Sequence, residues 1–312
     1  MLPALKSTIR RPGTCLWKAR FCLPAVVVLF QLTPFRAQET ASQLNRPPQS
    51  LLASTAAPPQ LYSSSLDLPS APDPQEPVAK PPDLAHADAG ISWRKLPRRF
   101  LHDQKEIWLF PTQLAKGKHW VPTLAVTGIT AGLLFADPHA MPYFRTHAGN
   151  LDDVNDVFDS YITTGIIVAI PASLLAAGYA RHDNYQVNTA VLAGLAYADS
   201  AIIDLAVKAV TRRERPSDVP PGQPFTDTFF AGGVSPFKGS SFPSGHAAGA
   251  FSVATVIATR YQHHRWVPWL AYGFATAVSL SRVSTLSHFP SDVFLGAALG
   301  YTITRYQTLR LD

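Results

Sequence analysis

Cysteine is almost absent from this chain, and the two that occur sit at its extreme N-terminus. Nothing beyond Cys22 can form a disulfide, act as a thiol nucleophile or hold a metal through sulfur. Neither Cys15 nor Cys22 lies in the small-residue setting of a lipoprotein attachment site. Charge is scarce as well: 15% of residues are Asp, Glu, Lys or Arg, against about 25% in ordinary soluble domains. That shortage points to a membrane protein or a very apolar helical one. No stretch alternates apolar and polar residues as a half-buried strand would, and no internal repeat runs through the chain.

What is present is an apolar chain of 312 residues, 46% hydrophobic, which suffices for a sizeable core. The net charge of +6 favours an anionic partner. It does not by itself separate nucleic acid, membrane surface and phosphate ester. Lys6, Arg10, Arg11, Lys18 and Arg20 precede a short apolar run, Phe21 to Leu32, with Ala37 at a plausible cleavage point. Residues 1–37 therefore read as an export signal, too short in its apolar part to span a bilayer comfortably. A basic amphipathic tail that stays in the cytoplasm is the alternative. Residues 38–90 are rich in Pro, Ser, Ala and Gln without apolar periodicity, and are expected to form a disordered linker. The folded domain is expected over 91–312.

Pro97 and Pro111 confine a first helix to roughly Arg98 to Phe110. Its mixture of basic and aromatic residues suits a membrane interface or packing on the domain. Six apolar stretches follow: Val121–Ala136, Ser160–Ala180, Thr189–Val207, Ala247–Thr259, Trp266–Leu280 and Val293–Thr304. All are rich in Ala, Gly, Thr and Leu, so the expected fold class is all-α, a helical bundle of about six core helices. Small residues let helices approach closely in a membrane. They also occur in buried helices of soluble enzymes, and several stretches fall short of the ~20 residues a span needs.

An acidic loop is expected from Asp137 to Asp159, and basic segments from Arg260 to Arg265 and Arg305 to Arg310. If the helices span, the acidic loop lies outside, and Lys208, His246 and His288 share the outer face. This needs the chain before Val121 to be cytoplasmic, whereas a working export signal reverses the parity.

Three clusters carry chemistry. Lys208 and Arg215, followed by Pro216, lie about two helical turns apart near a helix end, and two fixed cations there suit a dianion. Basic residues at a helix C-terminus also favour the macrodipole or snorkel to a surface, and Arg212 and Arg213 are read that way. Pro243-Ser244-Gly245-His246 opens an apolar helix, where free backbone N–H groups form an anion site and His246 can transfer a proton. An N-capping serine followed by an incidental histidine is the plainer reading. Ser281-Arg282, His288 and Asp292 form the third cluster. Pro290 suits a first helical turn, which lets the Asp292 carboxylate reach back to His288 and orient it as a nucleophile. Asp292 as a helix-start acid is the alternative there.

Taken together, the three clusters resemble the signature of the type 2 phosphatidic acid phosphatase family, which shares its fold with vanadium-dependent haloperoxidases. That signature is Lys, six residues, Arg-Pro; then Pro-Ser-Gly-His; then Ser-Arg, five residues, His, three residues, Asp. Every fixed position is present, and the resemblance covers roughly residues 120–305. It implies a metal-independent phosphatase without cofactor. Lys208, Arg215 and Arg282 would hold phosphate oxygens with Ser244 and the backbone of Gly245. His288 would attack phosphorus, oriented by Asp292, and His246 would protonate the leaving alcohol. The resemblance makes a phosphorylated lipid or small phosphate ester the expected partner, with no nucleic acid. The expected location is a bacterial inner membrane, active site toward the periplasm. The alternatives are a soluble periplasmic acid phosphatase, a vanadate-dependent haloperoxidase and a non-catalytic lipid-phosphate binder. The segment between Pro216 and Pro243, with Phe225, Phe229 and Phe230, is expected to be a lid, a lipid-tail contact or a plain surface loop.

Overall fold

The computed structural model describes residues 92–148, 152–235 and 239–310; the export signal and linker expected over 1–90 lie outside them. The described residues form helices and loops, with no strand beyond a single bridge between Ser235 and Gly239. The helices are α1 (Leu96–Trp108), α2 (Phe110–Ala115), α3 (Trp120–His147), α4 (Asp152–Val157) and α5 (Ser160–Arg181). They continue as α6 (Asn184–Thr211), α7 (Gly245–Arg260), α8 (Trp266–Ser284) and α9 (Pro290–Ile303). The all-α bundle with six long or central helices is thus the architecture of the domain.

Local chemistry explains most boundaries. Asp159 caps α5 by accepting from the Tyr161 N–H at 2.8 Å, and Asp183 caps α6 by accepting from Gln186 at 3.1 Å. Between α5 and α6 the chain reverses through His182 in the left-handed region (φ 54°). Gly178 makes that turn possible: a Cβ there would lie 2.8 Å from Val187. The prolines before α3 act as helix starters rather than as walls. Pro97 falls in the first turn of α1, which therefore begins at Leu96 and ends at Trp108, and Pro111 starts α2.

Two sequence expectations fail for tertiary reasons. The loop expected from Asp137 is instead the last third of α3, which runs through Pro138 and Pro142 to His147. Its missing backbone bonds are offset by what this end of α3 docks on: Asp137 and Met141 are fully buried, and Arg145 donates to the Pro216 and Val219 carbonyls at 2.5 and 2.9 Å. Arg260, expected in a solvated basic segment, is buried, with its guanidinium 3.8 Å over the Tyr185 ring and Nε on Thr189.

The main core lies among α5, α6, α7 and α8, around Ile167, Ala193, Ala196, Val256, Ala275 and Val278. A second cluster joins Met141, Val219, Phe225, Ala247, Val283, Phe289 and Val293, so the segment after α6 is anchored to the core through Val219 and Phe225. α7 is the hub, and α9 crosses it at backbone contact. A Cβ on Gly296 would meet the Ser244 carbonyl at 2.4 Å, and one on Gly300 the Ala248 carbonyl at 2.2 Å.

The outside of the bundle is unusually apolar. α3, α5 and α6 are each long and apolar enough to cross a membrane. Val121 and Phe135 on α3 and Trp269 on α8 are at least 80% exposed. α1 packs with its polar side inward: Gln104 donates to Asp199 at 2.9 Å and Arg99 to the Thr308 carbonyl at 2.8 Å. Its Leu101 and Trp108 face outward.

Candidate active site

The C-terminal end of α6, the start of α7, the C-terminal end of α8 and the start of α9 meet at one end of the bundle. All eight residues singled out by sequence are there. Ser244 caps α7, its hydroxyl accepting from the Ala247 N–H at 3.5 Å, and its own N–H donates to the Asp292 carbonyl at 2.9 Å. Gly245 is required by crowding: a Cβ would lie 2.9 Å from Asp204 Oδ2 and 3.2 Å from Lys208 Nζ. The start of α7 therefore rests directly against the lysine.

Three cations line this end. Lys208 donates to Asp204 Oδ2 at 2.5 Å. Arg282 is fully buried and reaches the Ser160 hydroxyl at the start of α5, at 2.9 Å. Arg215 is half-buried, and its buried Nε has no hydrogen-bond partner among the described residues. A buried guanidinium N–H without a partner is costly, and an anion bound between these cations would supply one.

The histidines are held in defined tautomers by carbonyls, which can only accept. His288 is buried, and its Nδ1–H donates to the Ser241 carbonyl at 2.7 Å, which leaves the Nε2 lone pair free. Burial pushes its pKa below the usual histidine range; Asp292 pulls the other way, and the Lys208 and Arg215 charges add to the lowering. Asp292 Oδ2 lies 3.8 Å from Nδ1, beyond hydrogen-bond reach, so the close contact expected between this pair is taken by the Ser241 peptide. The carboxylate also accepts the Phe289 N–H at 2.8 Å. His246 is partly buried, with Nε2 3.2 Å from the Ser160 carbonyl and 3.1 Å from the Thr164 hydroxyl.

Residues 189–309 match the family model of the PAP2 superfamily. This match begins within α6, so α3 and α5 precede it. A lipid A 1-phosphatase of Porphyromonas gingivalis is 37% identical over 65 residues, which are 20% of this chain and 15% of that protein. The crystal structure of a transmembrane PAP2 type phosphatidylglycerolphosphate phosphatase from Bacillus subtilis is 21% identical. It aligns over 65% of this chain and 93% of its own, with a TM-score of 0.35.

Several groups around the PAP2 segment escaped the sequence reading. Arg213, read as a surface cation, is 2% exposed and donates to Asp292 at 2.6 Å, Ser291 at 2.8 Å and Asp137 at 2.7 Å. Asp204 was legible as an acid one turn before Lys208. Ser160, Thr164 and Asp137 stand outside the PAP2 segment, and no spacing rule links them to it.

Proposed function

We propose that the protein hydrolyses a phosphomonoester or diphosphate, in the first instance of a lipid, through a phosphohistidine on His288. The observation that carries this is the buried imidazole of His288, its Nδ1 proton committed to the Ser241 carbonyl and its Nε2 lone pair free, beside three cations. In the first step Nε2 attacks phosphorus in line, the P–N bond forms and the bond to the leaving oxygen breaks. His246 delivers a proton to that oxygen. In the second step His246 takes a proton from water, whose oxygen displaces His288 and releases inorganic phosphate. Lys208, Arg215 and Arg282, with Ser244 and the Gly245 N–H, offset the charge on the equatorial oxygens, a role metals fill in other phosphatases.

The lipid substrate and membrane setting are supported by the exposed apolar surface of α3 and by three helices of spanning character. Orientation with the site on the periplasmic face of a bacterial inner membrane is supported by charge. The end remote from the site carries exposed Lys116, Lys118, Arg181, Arg265 and Arg305. The similarity of 65 residues to a protein named lipid A 1-phosphatase supports a lipid phosphate as the substrate class.

Phosphate release from a panel of lipid and soluble phosphates tests this. Wild type is expected to release phosphate with chelator present, His288→Ala to be inactive, and His246→Ala to be slowed roughly 10²- to 10⁴-fold on substrates with poor leaving groups. Equal release by wild type and His288→Ala would sink the mechanism.

A further inference from the structure

We infer that Asp137 and Arg213 form a buried clamp that positions the His288–Asp292 pair, which makes α3 part of the catalytic apparatus. The inference rests on the phosphoryl-transfer reading above and adds two positioning residues to it.

Arg213 is enclosed, and each of its three nitrogens donates a hydrogen bond. One terminal nitrogen bridges Asp292 Oδ1 at 2.6 Å and the Ser291 hydroxyl at 2.8 Å. The other reaches Asp137 Oδ2 at 2.7 Å, and Nε reaches Thr228 at 3.1 Å. The guanidinium plane lies 3.8 Å from the Phe289 ring centroid and 4.6 Å from that of Phe229. A lysine cannot make this set of contacts. Asp137 in turn accepts from the Ser291 hydroxyl at 2.5 Å and the Ser291 N–H at 3.2 Å. One carboxylate from α3 thus holds both the arginine and the first turn of α9.

The two ends of this network converge on the nucleophile. Through its side chain Arg213 fixes Asp292, which holds the Phe289 N–H and lies beside His288 Nδ1. Through its backbone carbonyl Arg213 accepts the Ser241 N–H at 2.8 Å, and the Ser241 carbonyl is what receives His288 Nδ1–H. A single residue therefore fixes both the carboxylate that lies beside His288 and the peptide that accepts its Nδ1 proton. None of these contacts involves Lys208, Arg215 or Arg282, so the three cations of the phosphate cradle are held apart from the clamp, which meets the cradle at Ser244, whose N–H donates to the Asp292 carbonyl at 2.9 Å. Two buried carboxylates on one buried arginine cost desolvation that an apolar trio of similar volume would avoid, and the placement of His288 is what this arrangement secures.

The test compares Asp137→Asn, Arg213→Lys and Ser291→Ala with wild type in the detergent-solubilised full chain, counting only folded material by size exclusion. Expected is a fall in kcat on the order of 10- to 100-fold, the range for groups that act through the residue they orient, with inhibition by inorganic phosphate unchanged. Vanadate, which draws on the nucleophile as well as the cradle, is expected to bind more weakly in all three. Ser291→Ala leaves every buried charge paired, and so reports even if the charge variants do not fold. An unchanged kcat, or phosphate and vanadate weakening in step, overturns the clamp. A wild type that releases no phosphate overturns the phosphatase reading instead, and the comparison of vanadate with phosphate binding still decides the clamp. Absence of both activities and of vanadate binding overturns both.

Discussion

His288 shows how a single residue's chemistry is set by its surroundings. Its burial disfavours the imidazolium, so the neutral imidazole persists into more acidic solution than a free histidine allows. Lowering the pH removes the lone pair only once the displaced pKa is passed. The acidic limb of kcat/KM is therefore expected below about 6.5, read from a pH–rate profile corrected for substrate ionisation. A limb at or above the ordinary histidine value would contradict a buried nucleophile. The same displacement acts on folding: the unfolded chain binds the proton more readily, so stability is present above the unfolded pKa and declines as pH falls toward the folded one. The eight candidate residues could be picked out in sequence because each motif is local, a short run with fixed internal spacing. Arg213 was misread because burial is a tertiary property. An arginine at a helix end looks the same in sequence whether it meets water or, as here, Asp137 from 76 residues away.

At the scale of elements, the crossing of α7 and α9 decides how the site is held. Gly300 and Gly296 let the two backbones touch, and one turn beyond Gly296 toward the N-terminus α9 carries Asp292. Gly300→Ala puts a Cβ into the Ala248 carbonyl, which must be relieved by separating the helices. A loss of about 1–3 kcal/mol is expected, the usual cost of overpacking, seen as a lower melting temperature together with lower activity. Gly273→Ala on α8 meets nothing within 4 Å and is expected to be neutral or to stabilise by up to ~1 kcal/mol through helix propensity. Equal effects of the two substitutions on melting would refute the close-crossing argument. Helix positions were largely readable from apolar runs and small residues. What misled was charge: the uncharged run ends at Ala136 and an acidic stretch opens at Asp137, yet α3 continues because Asp137, Met141 and Arg145 are anchored on the far side. Such anchorage has no local signature.

For the whole molecule, the proposed membrane setting turns on which side the site faces. The acidic loop expected from Asp137 to Asp159 proved mostly helical, with Asp137 buried, and Arg260 proved buried too, which removes two of the charges behind the expected orientation. The exposed cations at the remote end still point the same way. With Cys15 and Cys22 replaced by serine, Asp218→Cys beside the site is expected to react with a membrane-impermeant maleimide in intact cells. Arg265→Cys at the opposite end is expected to react only after permeabilisation, and the reverse pattern would invert the orientation.

The order of these elements along the chain has a consequence for synthesis. The Asp292 backbone and side chain bind Ser244, Phe289 and Arg213, groups that precede it by as many as 79 residues. Asp137, Lys208 and His246 are all made before it. A nascent chain stopped short of α9 therefore carries the cations, His246 and His288, but not Asp292 or the backbone against which the start of α7 rests. The site is complete only when the last helix docks, so on the proposed mechanism the order of synthesis leaves the histidine unsupported until the end.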